Sequence, residues 1–226
     1  MTDRPFDISE DPGRPAGVVD GAPGAMLIII SGPSGVGKDT IIDALRQREA
    51  EEGRDGGRYY VVTCTTREPR NGEVDGVNYH FMSREGFLEL RAARGFLEAS
   101  EVHGKGNWYG SPRGPVRDAL VAGRDVILKI DVQGAQVVKE QVSAALLIFI
   151  VPPSLEELFD RLRSRATESA DQLERRQRDA AIELARQDDY DHIVVNETGQ
   201  VKRTAKAIDR IIAEEHARHP DRRVRV

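Results

Sequence analysis

One stretch constrains this chain more than any other: Gly32-Pro33-Ser34-Gly35-Val36-Gly37-Lys38-Asp39-Thr40. It follows the short β-branched run Met26–Ile30 and opens the helix-patterned stretch Asp39–Ala50. Closely spaced glycines let the backbone curl until consecutive N–H groups point inward at one anion. The start of the following helix adds partial positive charge, and Lys38 adds a full one. Strand, loop and helix in this order are the context in which such a loop cradles a polyphosphate. The plain alternative is a glycine-rich β–α turn with an incidental lysine.

The residue after the lysine departs from the usual pattern. That position is normally Ser or Thr, whose hydroxyl meets Mg²⁺; here it is Asp39. A carboxylate there complements the helix dipole, and it can also hold Mg²⁺ directly or through water. Both readings stand, with Thr40 as a further metal candidate.

Downstream, apolar runs alternate with helical patterns. Strand-like runs occupy Tyr59–Cys64, Asp125–Ile130, Leu146–Val151 and His192–Val195. Helix-like stretches cover Pro112–Ala122, Gln133–Glu140, Ser154–Arg165, Asp171–Gln187 and Gln200–Ala217. Continuous rather than alternating apolar strands predict an α/β fold with a parallel β-sheet covered by helices on both faces. Two segments interrupt the alternation. Thr65–Ser111, with a helix near Arg84–Arg94, is long enough to form a small subdomain. Residues 164–178, polar nearly all round a helix, suit a mobile cover.

Composition narrows the function classes. Hydrophobic residues are 39% of the 226, enough for a sizeable core. The 33 basic against 38 acidic residues give −5, which argues against a DNA-coating protein. The longest apolar run, Ala144–Val151, is too short to cross a bilayer. One cysteine, Cys64, excludes an intramolecular disulfide framework and reads as a small core hydrophobe, and five scattered histidines suggest no zinc site. Residues 1–25 hold four Pro, four Gly and five acidic residues without the apolar centre of a secretory signal. They read as a disordered extension. The basic end with His216, Arg218, His219, Arg222, Arg223 and Arg225 reads as a solvated helix terminus, and the expected location is cytoplasmic.

The stretch from Thr65 to Phe81 is the most informative after the phosphate loop. Arg67 and Arg70, three apart in a Pro/Gly-punctuated loop, can converge on one phosphate, and Tyr79 can add a hydrogen bond. With the phosphate loop, this stretch resembles guanylate kinases, and the resemblance runs from Met26 to about Ala213. Further matching pieces are Phe96-Leu97-Glu98, Asn107-Trp108-Tyr109-Gly110-Ser111, Ile130-Asp131-Val132-Gln133-Gly134, Pro152-Pro153-Ser154, Arg161-Leu162 with Arg165, Arg176, and Val194-Val195-Asn196.

The resemblance implies a P-loop kinase of the nucleoside monophosphate type, with a core over residues 26–218, a GMP-binding insert at about 65–111, a lid at about 164–178 and a basic tail at 219–226. It implies transfer of the γ-phosphoryl group of ATP to GMP with Mg²⁺. Gly32, Pro33, Ser34, Gly35, Val36, Gly37, Lys38, Asp39, Thr40 and Asn196 would bind ATP. Arg67, Arg70, Tyr79 and Tyr109 would hold the GMP phosphate, with Glu73 bracing the arginines. Thr63, Glu98, Ser111 and Asp131 would read guanine. Lys38, Arg161, Arg165 and Arg176 would neutralise charge during transfer. The expected partners are small molecules, without nucleic acid or membrane, in a monomer or homodimer.

Residue chemistry supports two of these roles. An ionised Glu98 only accepts hydrogen bonds, and guanine offers adjacent N1–H and amino donors where adenine presents a lone pair. Transfer between phosphates needs charge neutralisation rather than a general base, because the acceptor phosphate is already largely a dianion.

The match has gaps. Lys129 stands where the family usually has an acid, so Asp39 and Lys129 either form a compensating ion pair or leave Lys129 an exposed side chain. The segment His103–Asn107 is longer than usual, with a glycine on each side of Lys105. Trp108 could equally stack on a base or pack. A ribose 1,5-bisphosphate kinase, whose loop often carries Asp after the lysine, and a non-catalytic guanylate-kinase-like binding module remain alternatives.

Overall fold

The computed structural model describes residues 19–54, 56–102, 106–164 and 170–226. Its centre is a five-stranded sheet built from β1 (Leu27–Ser31), β2 (Arg58–Tyr60), β7 (Asp125–Lys129), β8 (Leu146–Val151) and β9 (His192–Val195), in the order β2-β7-β1-β8-β9. Every neighbouring pair is parallel. The central runs Leu27–Ile30 and Leu146–Ile150 are buried on both faces, as continuous β-branched and leucine-rich strands require.

Alternate residues of β1 feed two separate cores. Met26, Ile28 and Ile30 pack with Ile41 and Leu45 of helix α1 (Lys38–Glu51) and with Ile208 and Ile212 of α7 (Val201–Arg218). Leu27 and Ile29 turn to the other face. There they meet Val116 and Leu120 of α3 (Arg113–Val121) and Ala135 and Val138 of α4 (Val132–Gln141). α5 (Leu155–Ser164) and α6 (Ala170–Leu184) complete the phosphate-loop side, and Leu158 and Leu162 of α5 join the first core. The α/β parallel-sheet expectation is met.

A second sheet, ordered β4-β3-β6-β5, is hydrogen-bonded separately from the first. It comprises β3 (Cys64–Thr65), β4 (His80–Phe81), β5 (Phe96–Val102) and β6 (Asn107–Pro112), with α2 (Arg84–Ala92) against it. Phe87 and Phe96 stack at 4.5 Å and bury Cys64 beneath them. Burial pushes the Cys64 thiol up to about 12, consistent with an inert core residue. Trp108 packs on Phe87 with Arg91 over its ring, so here it is a packing residue.

Three readings need correction. The strand expected over Tyr59–Cys64 is split. Val61 N–H still bonds Ile127 O in the large sheet, whereas Thr63 O already accepts from His80 N–H in the small one. A run of apolar residues does not reveal which sheet it joins. The extension expected over 1–25 includes residues 19–25 that are paired: Val19 and Val226 exchange backbone hydrogen bonds, and Gly21 N–H donates to Val224 O at 2.8 Å. Residues 1–18 lie outside the described chain. The basic end is correspondingly more than a solvated terminus. Val224 and Val226 alternate with Arg223 and Arg225, and both valines are buried in the second core. Among the described residues no helix is long and apolar enough to cross a membrane.

Candidate active site

The phosphate loop connects β1 to α1, as the sequence predicts. Gly37 caps the helix at φ 100°, a conformation that favours glycine. Gly32 is fixed by space as well as by conformation: a Cβ there would lie 2.3 Å from Ile150 O of the neighbouring strand. Lys38 curls back, its Nζ donating to Gly32 O at 2.6 Å. Burial pushes its ammonium pKa down, against the pull of Glu183, Asp131 and Asp39.

Three side chains hold the loop through its backbone. Asn196 at the end of β9 donates from Nδ2 to Val36 O at 2.8 Å, and its Oδ1 accepts from Thr204 Oγ1 at 3.1 Å. Arg161 of α5 donates to Val36 O at 3.2 Å and to Asn196 O at 2.8 Å. Glu183 of α6 accepts the Ser34 N–H at 2.9 Å. Burial raises the Glu183 carboxyl, while Ser34 N–H and Lys38 counteract that rise. Nothing in the sequence around Glu183 marks it, because its partner lies far away in the chain. Arg176 reaches Ser34 Oγ at 3.5 Å, and Arg165 lies outside the described residues, as do His103, Gly104 and Lys105.

The insert brings a second polar cluster together. Arg67 Nη2 donates to both Glu73 oxygens at 2.8 and 2.9 Å, and its Nε donates to Tyr109 Oη at 3.2 Å. Its guanidinium lies 5.4 Å from the Tyr79 ring centre, and Tyr79 meets Tyr109 edge-on at 5.9 Å. Glu73 also accepts the Arg70 N–H at 2.7 Å. The Arg67 guanidinium first, then that N–H, hold the Glu73 carboxyl below the ordinary carboxylate range. Arg70 itself is exposed.

The insert sheet also holds a buried acid. Glu98 of β5 is only 7% exposed and accepts from Ser111 Oγ of β6 at 2.6 Å. Burial raises its pKa to about 7, the Ser111 hydroxyl opposes that rise, and the Asp131 charge adds to it. Asp131 caps α4 through Gly134 N–H at 2.7 Å. Gly134 packs close to the acid: a Cβ there would lie 3.3 Å from Glu98 Oε2. Thr63 contributes its backbone O to the insert sheet and is half-buried.

Asp39 and Lys129 form the ion pair raised by the sequence: Lys129 Nζ donates to Asp39 Oδ1. Thr40 is exposed one residue further. Among the described residues no group of three or more His, Cys, Asp or Glu could hold a metal ion. The exposed first turn of α1 instead offers one carboxylate and one hydroxyl. That fits a Mg²⁺ that keeps most of its shell as water and phosphate oxygens.

The family model described as guanylate kinase matches residues 24–215. A guanylate kinase of Gloeobacter violaceus is 47% identical over 203 residues, covering 89% of this chain and 94% of its own. One from Corynebacterium jeikeium is 40% identical, covering 82% and 95% respectively. The crystal structure of guanylate kinase from Anaplasma phagocytophilum superposes with a TM-score of 0.65 at 31% identity, covering 84% of this chain and 86% of that one. Together with the fold and the paired clusters, these matches place the chain in the guanylate kinase family.

Proposed function

We propose that this chain is an ATP:GMP phosphotransferase, giving ADP and GDP. The observation that carries the reading is the buried Glu98–Ser111 pair of β5 and β6, with Ser111 on the same strand that brings Tyr109 to Arg67. A buried carboxylate meets guanine's N1–H and amino group with acceptors alone. Adenine would leave it facing a lone pair, a mismatch costing on the order of 1–3 kcal/mol. A sugar bisphosphate offers single hydroxyl donors rather than guanine's adjacent pair of N–H donors on one planar edge, which favours GMP over ribose 1,5-bisphosphate.

The acceptor phosphate sits on Arg67 and Arg70, with the Tyr79 and Tyr109 hydroxyls as further donors. Glu73 keeps the planar Arg67 fork aimed, so little conformational freedom is lost on binding. Thr63, Ser111 and Asp131 complete the guanine contacts. On the donor side, the loop from Gly32 to Thr40 wraps the ATP phosphates, and Lys38 leaves its own carbonyls for them. Asn196 acts through Val36, holding the loop's curl. Arg161, Arg165 and Arg176 supply positive charge as α5 and α6 close over the nucleotide, which also excludes water as a competing acceptor. Mg²⁺ arrives with ATP, and Asp39 and Thr40 would hold it; the ion supplies charge neutralisation on the phosphates.

The test is an ADP-release assay with ATP and Mg²⁺, offered GMP, AMP, UMP and ribose 1,5-bisphosphate in parallel. Turnover confined to GMP is expected. Turnover on the sugar phosphate alone would replace this reading with the related kinase. Silence on all four would leave a binding module.

A further inference from the structure

Lys129 occupies the gap between the two phosphate-binding clusters. It ends β7, pairs in register with Ile30 of β1, and so lies level with the start of the phosphate loop. Ligands of open parallel sheets bind at this carboxyl end of the strands. Its ammonium donates to Asp39 in the first turn of α1 and lies 6.0 Å from the Tyr79 ring centre in the insert. One side chain therefore touches both the donor-side helix and the acceptor-side aromatic cluster.

Stability does not account for this placement. The Asp39 side chain is 78% exposed and that of Lys129 30%, and an exposed ion pair contributes only about 0–1 kcal/mol. Lys129 is also close enough to Lys38 to oppose its charge. Two ammonium groups facing one space repel unless anions come between them. Asp39, Asp131 and Glu183 partly offset the Lys38 charge, and Asp39 also pairs with Lys129. An ATP tail and a nucleotide monophosphate would bring far more negative charge into the same gap.

We propose that Lys129 is a catalytic cation that contacts the phosphates of both substrates, with Asp39 holding it in place before they arrive. The inference rests on the GMP kinase reading above. During transfer, an oxygen of the acceptor phosphate donates its electron pair to the γ-phosphorus. The bond from that phosphorus to the β,γ-bridging oxygen breaks, and its electron pair leaves with ADP. Lys129 offsets charge spread over the moving group and takes no part in bond making or breaking.

The experiment compares the full-length chain with Lys129→Met and Lys129→Arg. It reads kcat, the KM of each substrate, thermal stability, and the Kd of ADP, of GMP, and of an analogue joining adenosine and guanosine through five phosphates. Lys129→Met should lower kcat about 100-fold while both KM values change less than about threefold. Its affinity for the joined analogue should fall about 30-fold, against less than about threefold for ADP or GMP alone. Lys129→Arg, which keeps the charge, should recover most of both. Unchanged kcat and analogue affinity in Lys129→Met would overturn the proposal, as would a loss confined to one nucleotide. A fall in melting temperature that accounts for lost activity, unrescued by Lys129→Arg, would make the residue structural. If the unaltered chain fails to phosphorylate GMP, the reading of the reaction fails first and this inference falls with it.

Discussion

The Glu183 carboxylate accepts the backbone N–H of Ser34 at 2.9 Å, joining α6 to the phosphate loop across 149 positions of sequence. A carboxylate brought out of water against a loop of inward N–H groups is tolerable because that loop is electropositive. The bond fixes the loop's curl at its third residue and docks the helix that carries Arg176. Glu183→Ala should raise the KM for ATP roughly tenfold, the loss of about one charge-assisted hydrogen bond. The KM for GMP should stay as it was, and Glu183→Gln, which keeps an acceptor oxygen, should recover most of the effect. Steady-state kinetics with each substrate varied in turn would decide it.

Glu98 gives the chain a pH signature. Its carboxyl titrates at about 7 when unliganded, yet guanine needs it ionised. GMP affinity should therefore strengthen roughly tenfold between pH 6 and 8 beyond any change seen in Glu98→Gln, since one unit of pKa is tenfold in the ionised fraction. The stability of the empty chain runs the opposite way. A raised carboxyl pKa favours the protonated folded state, so this contribution is present below the ordinary carboxylate value and is lost as pH rises towards 7. Calorimetric GMP titrations and melting curves on both proteins test the two slopes; parallel slopes in the two proteins would refute them.

Arg67 is held by two oxygens of Glu73 and by Tyr109. Arg67→Met should weaken GMP by roughly 10- to 150-fold, the range of one or two charged hydrogen bonds. Glu73→Gln should cost less, because the fork remains but is aimed less firmly. The depressed Glu73 carboxyl has a further consequence. Its stabilising contribution is present above the ordinary carboxylate pKa and fades as pH falls through its lower folded value. Binding of guanosine, which lacks the phosphate, should be unaffected by either change.

Removing residues 222–226 should lower stability by about 3–6 kcal/mol, the loss of two buried valines at about 1.5–3 kcal/mol each. Denaturant unfolding measures this directly. Removing residues 1–18 should leave the midpoint where it was, because the pairing of Val19 and Gly21 with Val226 and Val224 would be retained.

Much of this architecture is written locally. The run Leu27–Ile30 followed by Gly32–Thr40 announces strand, loop and helix because each signal lies within a few residues of the next. Arg67, Glu73 and Tyr79 were legible for the same reason. Pairings between distant segments were not. Glu183 finds Ser34, and Val19 finds Val226, only after the sheet has closed, and no local pattern encodes either partner. The division of Tyr59–Cys64 between two sheets failed for another reason: half-buried residues 61–63 look alike whichever ladder they leave or enter. Asp39 and Lys129 lie between these cases. Two departures of opposite sign hinted at a partnership, and the register of Lys129 beside Ile30 brings them together.

The passage at Val62 carries a mechanical consequence. Val61 makes the last hydrogen bond to the large sheet and Thr63 the first to the small one, so one residue joins two ladders that share no hydrogen bond there. At the other end of the insert, Pro112 closes β6 and Arg113 begins α3. Such a joint has the form of a hinge pin, and a latch sits at the far side: Leu97 of β5 is buried in the second core and its O accepts from Gln141 Nε2 of α4 at 2.8 Å. Each ladder could stay whole in a rotation about Val62, whereas the cost of such a rotation lies in what Leu97 and Gln141 would give up.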